Sequence, residues 1–370
     1  MKKRFAVTAA VIGASCAVVL SGCAGCAGCG QVSKNIASLN SNWYANTNYK
    51  KIQPTFTEGN DLFQKEDLEY KVTFEKPASG NKYYSVEYSE GVYATQFYAA
   101  AFDRETYCCE EFKGSYPEKL TAYYYKTQLD IPTVTFTMGG ETKTFDGDEM
   151  TTECYFLPVE NYLRPLYSKI TVKSTTPSSA QPKDLQSAYR ELDYVYTTYY
   201  NYDCTAVKTV VNDGTQTSEK TSDSVKSAQS TVFDTASLNI VARASKLGDS
   251  LSQPVSLYTP TSGLDTYTLA NAASSLSDDE KTALQALLSE NSLYKAEYDG
   301  EGKEIGLKTN GVSVLYGGQL AGVTQTYWFA AIDNPNNNTG RTTMLKLATP
   351  LSFGLGTLNY TLNKINQRIY

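Results

Sequence analysis

Any chemistry in this chain would have to proceed without histidine. The 370 residues include no His, 33 basic residues, 39 acidic residues and eight cysteines. Ser-His-Asp catalysis, Cys-His catalysis and His-ligated metal sites are therefore excluded. Proton transfer at neutral pH would fall to carboxylate, Lys, Tyr or Cys side chains with shifted pKa values.

Two stretches have the Ser-x-x-Lys spacing in which a lysine can activate a serine nucleophile. They are Ser292 to Lys295 and Ser79 to Lys82. In penicillin-recognising enzymes this serine opens a helix, whereas Ser292 follows a predicted helix and Ser79 lies in a predicted turn. The sequence contains neither Ser-Asp-Asn nor Lys-Thr-Gly, so the pattern favours turns over catalysis.

Two further stretches are candidates for binding a cation or a phosphate. Asp333 to Gly340 is rich in oxygen ligands, but Pro335 and Met344 occupy the third and twelfth positions of an EF-type Ca²⁺ loop. The G-x-G at residues 354–356 lacks a third glycine and precedes a strand instead of a helix. We therefore expect a polar turn and the start of a strand, with neither a metal nor a cofactor.

Four cysteines lie in the body of the chain and could form disulfides after export. They are Cys108, Cys109, Cys154 and Cys204, which allow three pairings. On a predicted strand, Cys108 and Cys109 point to opposite faces, so at most one of them reaches a given partner easily. The C-x-x-C spacing near the N-terminus has no counterpart in the body, so a zinc site is not expected.

The N-terminus has the pattern of a targeting signal. Residues 2–4 are basic, an apolar run extends from Phe5 to Leu20, and Leu-Ser-Gly-Cys ends at Cys23. This pattern resembles the signal peptide and lipobox of bacterial lipoproteins over residues 1–23. The resemblance implies diacylglycerol on the Cys23 sulfur, cleavage before Cys23 and acylation of the new N-terminus, with palmitate as the expected acyl group. An ordinary secretory peptide with a chance cysteine is the alternative.

The lipobox resemblance also implies a location. The protein would be lipid-anchored on the cell membrane or the outer membrane and would face outside the cytoplasm, with the bilayer as a partner through acylated Cys23. Removal of residues 1–22 leaves 30 basic and 39 acidic residues, a net charge of −9. This negative balance argues against nucleic acid as a partner.

Tyrosine is unusually frequent, with 30 residues against two Trp. Tyr favours strands, and its hydroxyl tolerates a wet surface. Tyr rings on an exposed sheet could stack on sugars or line an apolar groove, and the alternative is that they fill the core. The sequence favours the core-filling interpretation.

Alternation of apolar and polar residues predicts many short antiparallel strands. Leu68 to Glu75 and Tyr84 to Tyr88 suggest one hairpin, and residues 133–138 and 141–145 suggest another around Gly139-Gly140. Further strands are predicted at 92–102, 121–125, 151–157, 166–172, 192–202, 204–211, 237–242, 265–269, 296–298, 305–307, 312–316, 324–332, 342–347 and 357–362.

One helix is clear from its capping pattern. Ser277 and Glu280 form a capping box, and an apolar stripe continues to about Glu290. The sequence therefore predicts a mainly β fold of antiparallel, strongly curved sheets, either a half-barrel or a sandwich, with one α-helix near residues 277–290.

Composition divides the chain into four expected segments. They are a signal peptide at 1–22, a flexible tether at 23–60, a β-rich domain at 61–175 and a second β-rich domain with the helix at 183–370. The Ser- and Pro-rich residues 174–182 mark the boundary between the two domains. Small and polar residues define the tether.

An aromatic strand, a polar turn and two further strands end the chain. The residues are Tyr327-Trp328-Phe329-Ala330, Asp333 to Gly340, Arg341, Leu345 to Leu347 and Leu358 to Leu362. This stretch is similar to periplasmic half-barrel proteins of the lipoprotein-carrier type. In that family a curved sheet cradles an acyl chain, so the resemblance implies a half-barrel.

Together these features predict a membrane-anchored extracytoplasmic lipoprotein that is non-catalytic and binds a glycan, lipid or protein ligand in the cell envelope. Cys23 is the one assigned site residue, for lipidation, and no catalytic or metal residue is assigned. The alternative is a carboxylate-based glycan hydrolase, which needs only a close carboxylate pair in a cleft. A Tyr-rich face or an apolar trough would favour binding.

Overall fold

The computed structural model describes most of the body of the chain. The described residues are 10–12, 16–19, 66–159, 162–222, 232–245, 247, 252–291, 297–316, 322–332 and 340–368. Cys23 and the expected tether lie outside these ranges. None of the helices within them is long and apolar enough to cross a membrane.

The described chain is built mostly of strands. In chain order the strands are β1 (Ala10–Ile12), β2 (Cys16–Val19), β3 (Glu66–Glu75), β4 (Ser85–Tyr88), β5 (Gly91–Ala101), β6 (Thr121–Asp130), β7 (Thr133–Met138), β8 (Glu141–Asp146), β9 (Glu149–Val159), β10 (Tyr162–Pro177), β11 (Tyr189–Tyr200), β12 (Val207–Asn212), β13 (Thr217–Ser222), β14 (Val232–Asp234), β15 (Ser252–Thr259), β16 (Gly263–Asn271), β17 (Glu297–Tyr298), β18 (Glu304–Ile305), β19 (Thr309–Tyr316), β20 (Val323–Ile332), β21 (Gly340–Pro350) and β22 (Thr357–Arg368). The helices are α1 (Arg104–Tyr107), α2 (Glu110–Lys113), α3 (Leu238–Ala244) and α4 (Asp278–Glu290).

Fifteen of the described strands form one hydrogen-bonded sheet, in the order β13-β12-β11-β10-β9-β6-β5-β3-β22-β21-β20-β19-β16-β15-β14. Neighbours in this sheet run antiparallel except for β14 and β15. Strands β4, β7 and β8 form a small second sheet. Within the described residues, β13 and β14 are the two edges of this sheet and are not paired with each other. The predicted mainly β, antiparallel fold is confirmed.

The large sheet buries its inner face, as the period of two along each strand requires. In β5, Tyr93 and Phe97 are almost fully buried, whereas Val92 is exposed. The ring of Tyr93 lies 5.6 Å from that of Tyr70 and 5.2 Å from that of Tyr360, which come from two neighbouring strands. Tyrosine rings therefore fill much of the core, as the core-filling interpretation predicts.

A buried helix lies against this inner face. The strand predicted at residues 237–242 is wrong, because this segment forms α3, in which every side chain except Asn239 is buried. Asn239 Nδ2 donates to the Tyr125 hydroxyl at 2.8 Å, and Arg243 pairs with Glu66 at 3.1 Å. A run of seven residues that is buried on nearly all sides shows no clear amphipathic period, so its pattern cannot separate a buried helix from a strand.

A buried carboxylate joins the two ends of the sheet. Asp234, on edge strand β14, accepts hydrogen bonds from the Ser168 hydroxyl at 2.7 Å, the Tyr200 hydroxyl at 2.6 Å and the Ala236 amide at 2.7 Å. Ser168 and Tyr200 belong to β10 and β11, close to the opposite edge. Burial raises the pKa of Asp234, and these hydrogen bonds oppose the increase. We call this group the Asp234 clamp.

The two predicted hairpins have different outcomes. The pairing of residues 68–75 with 84–88 is wrong, since β4 pairs with β7 while β3 pairs with β5 and β22. Long-range neighbours occupy both edges of β3, which a local turn signal cannot foresee. The second hairpin, β7 to β8, is present, and Gly139 and Gly140 have φ of 62° and 88°. Positive φ at both turn residues matches the type I′ turn that favours glycine.

The predicted helix and the expected domain boundary are both within the described chain. Helix α4 begins after Ser277, and reciprocal hydrogen bonds between Ser277 and Glu280 form the predicted capping box. Residues 174–177, at the expected boundary, belong to β10, and Thr175 pairs with Glu191 of β11. Hydrogen bonding of the large sheet is therefore continuous across this position.

The Asp234 clamp predicts a large effect on stability. Asp234→Ala would leave two buried hydroxyls and an amide without their acceptor, and an unsatisfied buried donor is costly, so we expect a loss of about 3 kcal/mol in the free energy of unfolding. Urea unfolding measures it. Glu118→Ala, at an exposed carboxylate, should change stability by less than about 0.5 kcal/mol. Equal effects of the two substitutions would contradict the role of the clamp.

Candidate functional site

Five tyrosines lie side by side on the outer face of the large sheet. Cross-strand pairing joins Tyr98 to Tyr124, Tyr124 to Tyr155, Tyr155 to Tyr167, and Tyr167 to Tyr199. Their successive ring centroids are 5.1, 4.9, 6.5 and 5.8 Å apart. The set, which we call the tyrosine row, crosses five neighbouring strands of the sheet, β5, β6, β9, β10 and β11.

Strand register determines which tyrosines join this row. Tyr123, Tyr124 and Tyr125 follow one another in β6, and alternate side chains of a strand point to opposite faces. The rings of Tyr123 and Tyr125 lie 5.2 and 6.3 Å from that of Phe97 in the core, so Tyr124 points outwards. A slip of one residue in pairing would exchange the two faces.

A second line of side chains runs beside the tyrosine row, two residues along each strand. This polar row consists of Gln96, Lys126, Glu153, Lys169 and Thr197, and the same pairing joins its members. Glu153 lies directly between Lys126 and Lys169. The two rows are linked because the Tyr124 hydroxyl donates to Glu153 Oε2 at 2.9 Å.

The tyrosine row is a set of hydrogen-bond donors at neutral pH. Burial raises the pKa of all five hydroxyls above its ordinary value of 10.0. The negative charge of Glu153 adds to the increase at Tyr98, Tyr124, Tyr155 and Tyr167. Protonated phenols can donate hydrogen bonds, and the carboxyl oxygens of Glu153 can accept them. Adjacent donors and an acceptor suit recognition of hydroxyl groups.

The middle of the tyrosine row is covered by other side chains, and its two ends are partly open to solvent. The ring of Tyr107, in α1, lies 4.6 Å from that of Tyr155 and 5.1 Å from that of Tyr167. Tyr155 and Tyr167 are each only 6% exposed. The end residues, Tyr98 and Tyr199, are half-buried, as is the polar row. A ligand would therefore meet the ends of the tyrosine row and the polar row.

A surface cavity of about 520 Å³ is a second candidate site. We call it the acidic cleft because its lining includes four carboxylates, Asp146, Glu191, Asp193 and Asp213, together with the rings of Phe145 and Tyr194. Hydrogen bonds from the Thr215 hydroxyl and the Gln216 amide lower the pKa of Asp213 to about 2. Asp213 therefore orders a turn and is unsuited to be a general acid.

A buried carboxylate lies behind the acidic cleft. Ser174, which lines the cleft, donates to Asp148 Oδ1 at 2.6 Å, and Asp148 is 4% exposed. Burial raises the pKa of Asp148 to about 6, against a smaller lowering by the Ser174 hydrogen bond. Asp148 therefore takes up a proton on folding in weakly acidic solution.

The candidates from sequence motifs that fall within the described residues lie outside these two sites. Cys23, residues 292–295 and residues 333–339 lie outside the described ranges. Ser79 and Lys82 are both exposed in the turn after β3. The G-x-G precedes β22, as predicted, and a Cβ at Gly356 would lie 2.6 Å from the Glu75 carbonyl oxygen. Among the described residues no cluster of three Asp, Glu or Cys side chains could hold a metal ion.

The placement of Cys108 and Cys109 on a strand is wrong. Cys108 follows α1 and Cys109 precedes α2, and both carry free thiols. Asp103 starts α1 by accepting a hydrogen bond from the Glu105 amide at 3.0 Å, a capping signal that the strand prediction overlooked. Burial raises the pKa of the Cys108 thiol to about 12 and that of Cys109 to about 11, which disfavours thiolate chemistry.

Comparisons with known proteins are sparse. No family model and no curated protein matches the sequence. Among solved structures, the chain is similar to the crystal structure of a β-barrel-like protein of a domain of unknown function, DUF1849, from Brucella abortus. The two share 11% identity and a TM-score of 0.37, with 83% of this chain and 98% of the other covered.

Sequence reasoning identified the abundance of Tyr but missed the tyrosine row. The row joins residues up to 101 positions apart in sequence, from Tyr98 to Tyr199, through four separate strand pairings. The sequence offers one signal of the two rows. In three strands a Tyr lies two positions from a charged residue, as Tyr124 does from Lys126. Such spacing shows a shared strand face but not which strands are neighbours.

Asp148 predicts a pH dependence of stability. Between pH 3.8 and about 6, Asp148 keeps its proton in the folded protein and loses it in the unfolded chain. The free energy of unfolding should therefore fall as pH rises through this window, by up to about 3 kcal/mol. Urea unfolding at pH 4, 5, 6 and 7 measures the slope. Asp148→Asn should remove this contribution. An identical slope in the variant would show that folding does not raise the pKa of Asp148.

Proposed function

We propose that the chain is a membrane-anchored extracytoplasmic lipoprotein that binds a ligand without catalysis, through the outer face of its sheet. The tyrosine row is the observation that carries this proposal. Five rings in register form an ordered row whose two ends are partly exposed, and Tyr loses little conformational entropy on binding. The same face offers hydroxyl donors and the Glu153 acceptor side by side.

The ligand that fits this surface best is a glycan. Aromatic edges and faces contact the apolar faces of sugar rings, while carboxylate, amide and hydroxyl side chains exchange hydrogen bonds with sugar hydroxyls. The ends of the tyrosine row supply the first kind of contact, and Gln96 and Glu153 supply the second. An anchor at Cys23 on the cell membrane or the outer membrane would hold this surface outside the cytoplasm, with the bilayer as a partner.

The acidic cleft supports the alternative of a carboxylate-based glycan hydrolase. Its four carboxylates and two aromatic rings could border a sugar, and hydrolysis needs one carboxylic acid with a raised pKa. Asp213 does not meet this requirement, because its pKa is lowered. Asp148 has the raised pKa, but it is 4% exposed and bonded to Ser174. Binding without hydrolysis is therefore the function we favour.

The binding proposal predicts a loss of affinity when the exposed ends of the tyrosine row are removed. Tyr98→Ala and Tyr199→Ala should each weaken binding to a glycan array about tenfold, the effect of one lost aromatic contact. Tyr298→Ala is the matched control, because Tyr298 is 63% exposed on the separate β17–β18 hairpin. Urea unfolding verifies that all three variants fold.

The same glycans distinguish binding from hydrolysis. We expect no reducing ends to be released from any bound glycan over prolonged incubation. Release that is abolished by Asp193→Asn in the acidic cleft would contradict the proposal and establish the hydrolase.

The anchoring proposal predicts a change of cellular fraction. Cys23→Ala removes the thiol that would carry diacylglycerol, so the protein should move from the membrane pellet to the soluble exported fraction. Fractionation with immunoblotting and mass spectrometry of the N-terminus measures the change. A variant that still pellets and still carries lipid would contradict lipidation at Cys23, and substitution of Ser21 by Ala serves as the control that should stay in the pellet.

A further inference from the structure

Two lysines of the polar row have no ion-pair partner within the part of the chain that the structure describes. Lys126 and Lys169 each lie directly opposite Glu153, yet neither forms a salt bridge with it. Other lysines on this face differ, since Lys208 lies 2.7 Å from Glu111 and 3.1 Å from Glu219. The ammonium groups of Lys126 and Lys169 are therefore available to an external anion.

The surroundings of the two lysines form a shallow strip. The tyrosine row lies on one side of them. On the other side the same cross-strand pairing places a line of uncharged side chains, Ala94, Gln128, Thr151, Thr171 and Val195. No carboxylate of that line competes for the ammonium groups. None of these side chains is charged or aromatic, and we expect an extended ligand to lie along the polar row.

The spacing of the charges limits the kind of anion. Lys126 and Lys169 are on β6 and β10, which are separated by β9, so about 10 Å divides their backbones. Glu153 occupies the position between them. A matching ligand has two negative charges about this far apart and hydroxyl donors in between.

We propose, on the basis of the proposed function, that the ligand is an acidic glycan of uronate units. Two of its carboxylates would pair with Lys126 and Lys169, and a hydroxyl between them would donate to Glu153. In an extended uronate chain whose successive units are turned over, every second unit directs its carboxylate to the same edge. The unit between them presents hydroxyl groups at that edge. Lys126 and Lys169 would select acidic glycans over neutral ones. The tyrosine row would contact sugar rings of either kind.

Closely spaced anions fit the strip less well. Nucleic acid and anionic membranes bind through many cations at short intervals, and here a carboxylate separates the only two unpaired lysines of the polar row. Charge complementarity therefore favours a polymer that presents carboxylates along one edge at the spacing of the two lysines.

Paired probes test the proposal with the full chain. Polygalacturonate and alginate are compared with their own methyl esters, which keep the sugar backbone and lose the charge. The acids should bind at least about tenfold tighter than the esters at low salt. Lys126→Gln and Lys169→Gln should each lower the ratio of acid affinity to ester affinity about fivefold, which is the effect of losing one partly exposed ion pair. Binding of the esters should stay unchanged.

A control and three outcomes decide the result. Lys303→Gln, at an exposed lysine between β17 and β18, should leave the preference intact. Equal binding of acids and esters that still depends on Tyr98 would overturn the uronate proposal and leave the proposed function standing. Absence of binding to every glycan tested would overturn both. Binding to phosphatidylglycerol vesicles in place of uronates would show that the anion is a lipid headgroup.

Discussion

Burial of the Asp234 carboxylate constrains the whole fold. The sheet of fifteen strands has two edge strands, and one of them is tied to strands near the other by hydrogen bonds from Ser168 and Tyr200. A hydroxyl pair, Thr209 with Tyr258 at 2.9 Å, links the same two regions. A buried charge is tolerated only when its hydrogen bonds are satisfied. The clamp therefore permits very few relative positions of the two ends of the sheet.

The clamp also positions the helix that fills the inner face. Asp234 Oδ1 accepts the Ala236 amide, so the turn that leads into α3 starts from the same carboxylate. Helix α3 then contacts β6 through Asn239 and β3 through the buried pair of Arg243 with Glu66. Because α3 lies against the inner face, the proposed ligand surface is on the outer face.

Tyrosine has two roles because strands alternate. Tyr93 and Tyr125 are almost fully buried in the core, while Tyr124, one residue from Tyr125, belongs to the outer row. The buried rings contribute apolar area, and their hydroxyls need partners, as when Asn239 bonds Tyr125. The outer rings pack against one another across strands and present their hydroxyl edges next to Glu153. A single abundant residue type thus supports both stability and the proposed recognition surface.

The sequence by itself determined the local features of this protein. Period-two alternation established the mainly β class, Gly139-Gly140 established the β7–β8 turn, and the Ser277–Glu280 capping box established α4, because each depends on residues a few positions apart. Tertiary structure alone decided which strands are neighbours, that residues 238–244 form a buried helix, and that the polar row lies beside the tyrosine row. Those outcomes depend on pairing between distant segments and on burial from all sides. A one-residue change in pairing moves every side chain to the other face, so a local pattern cannot specify them.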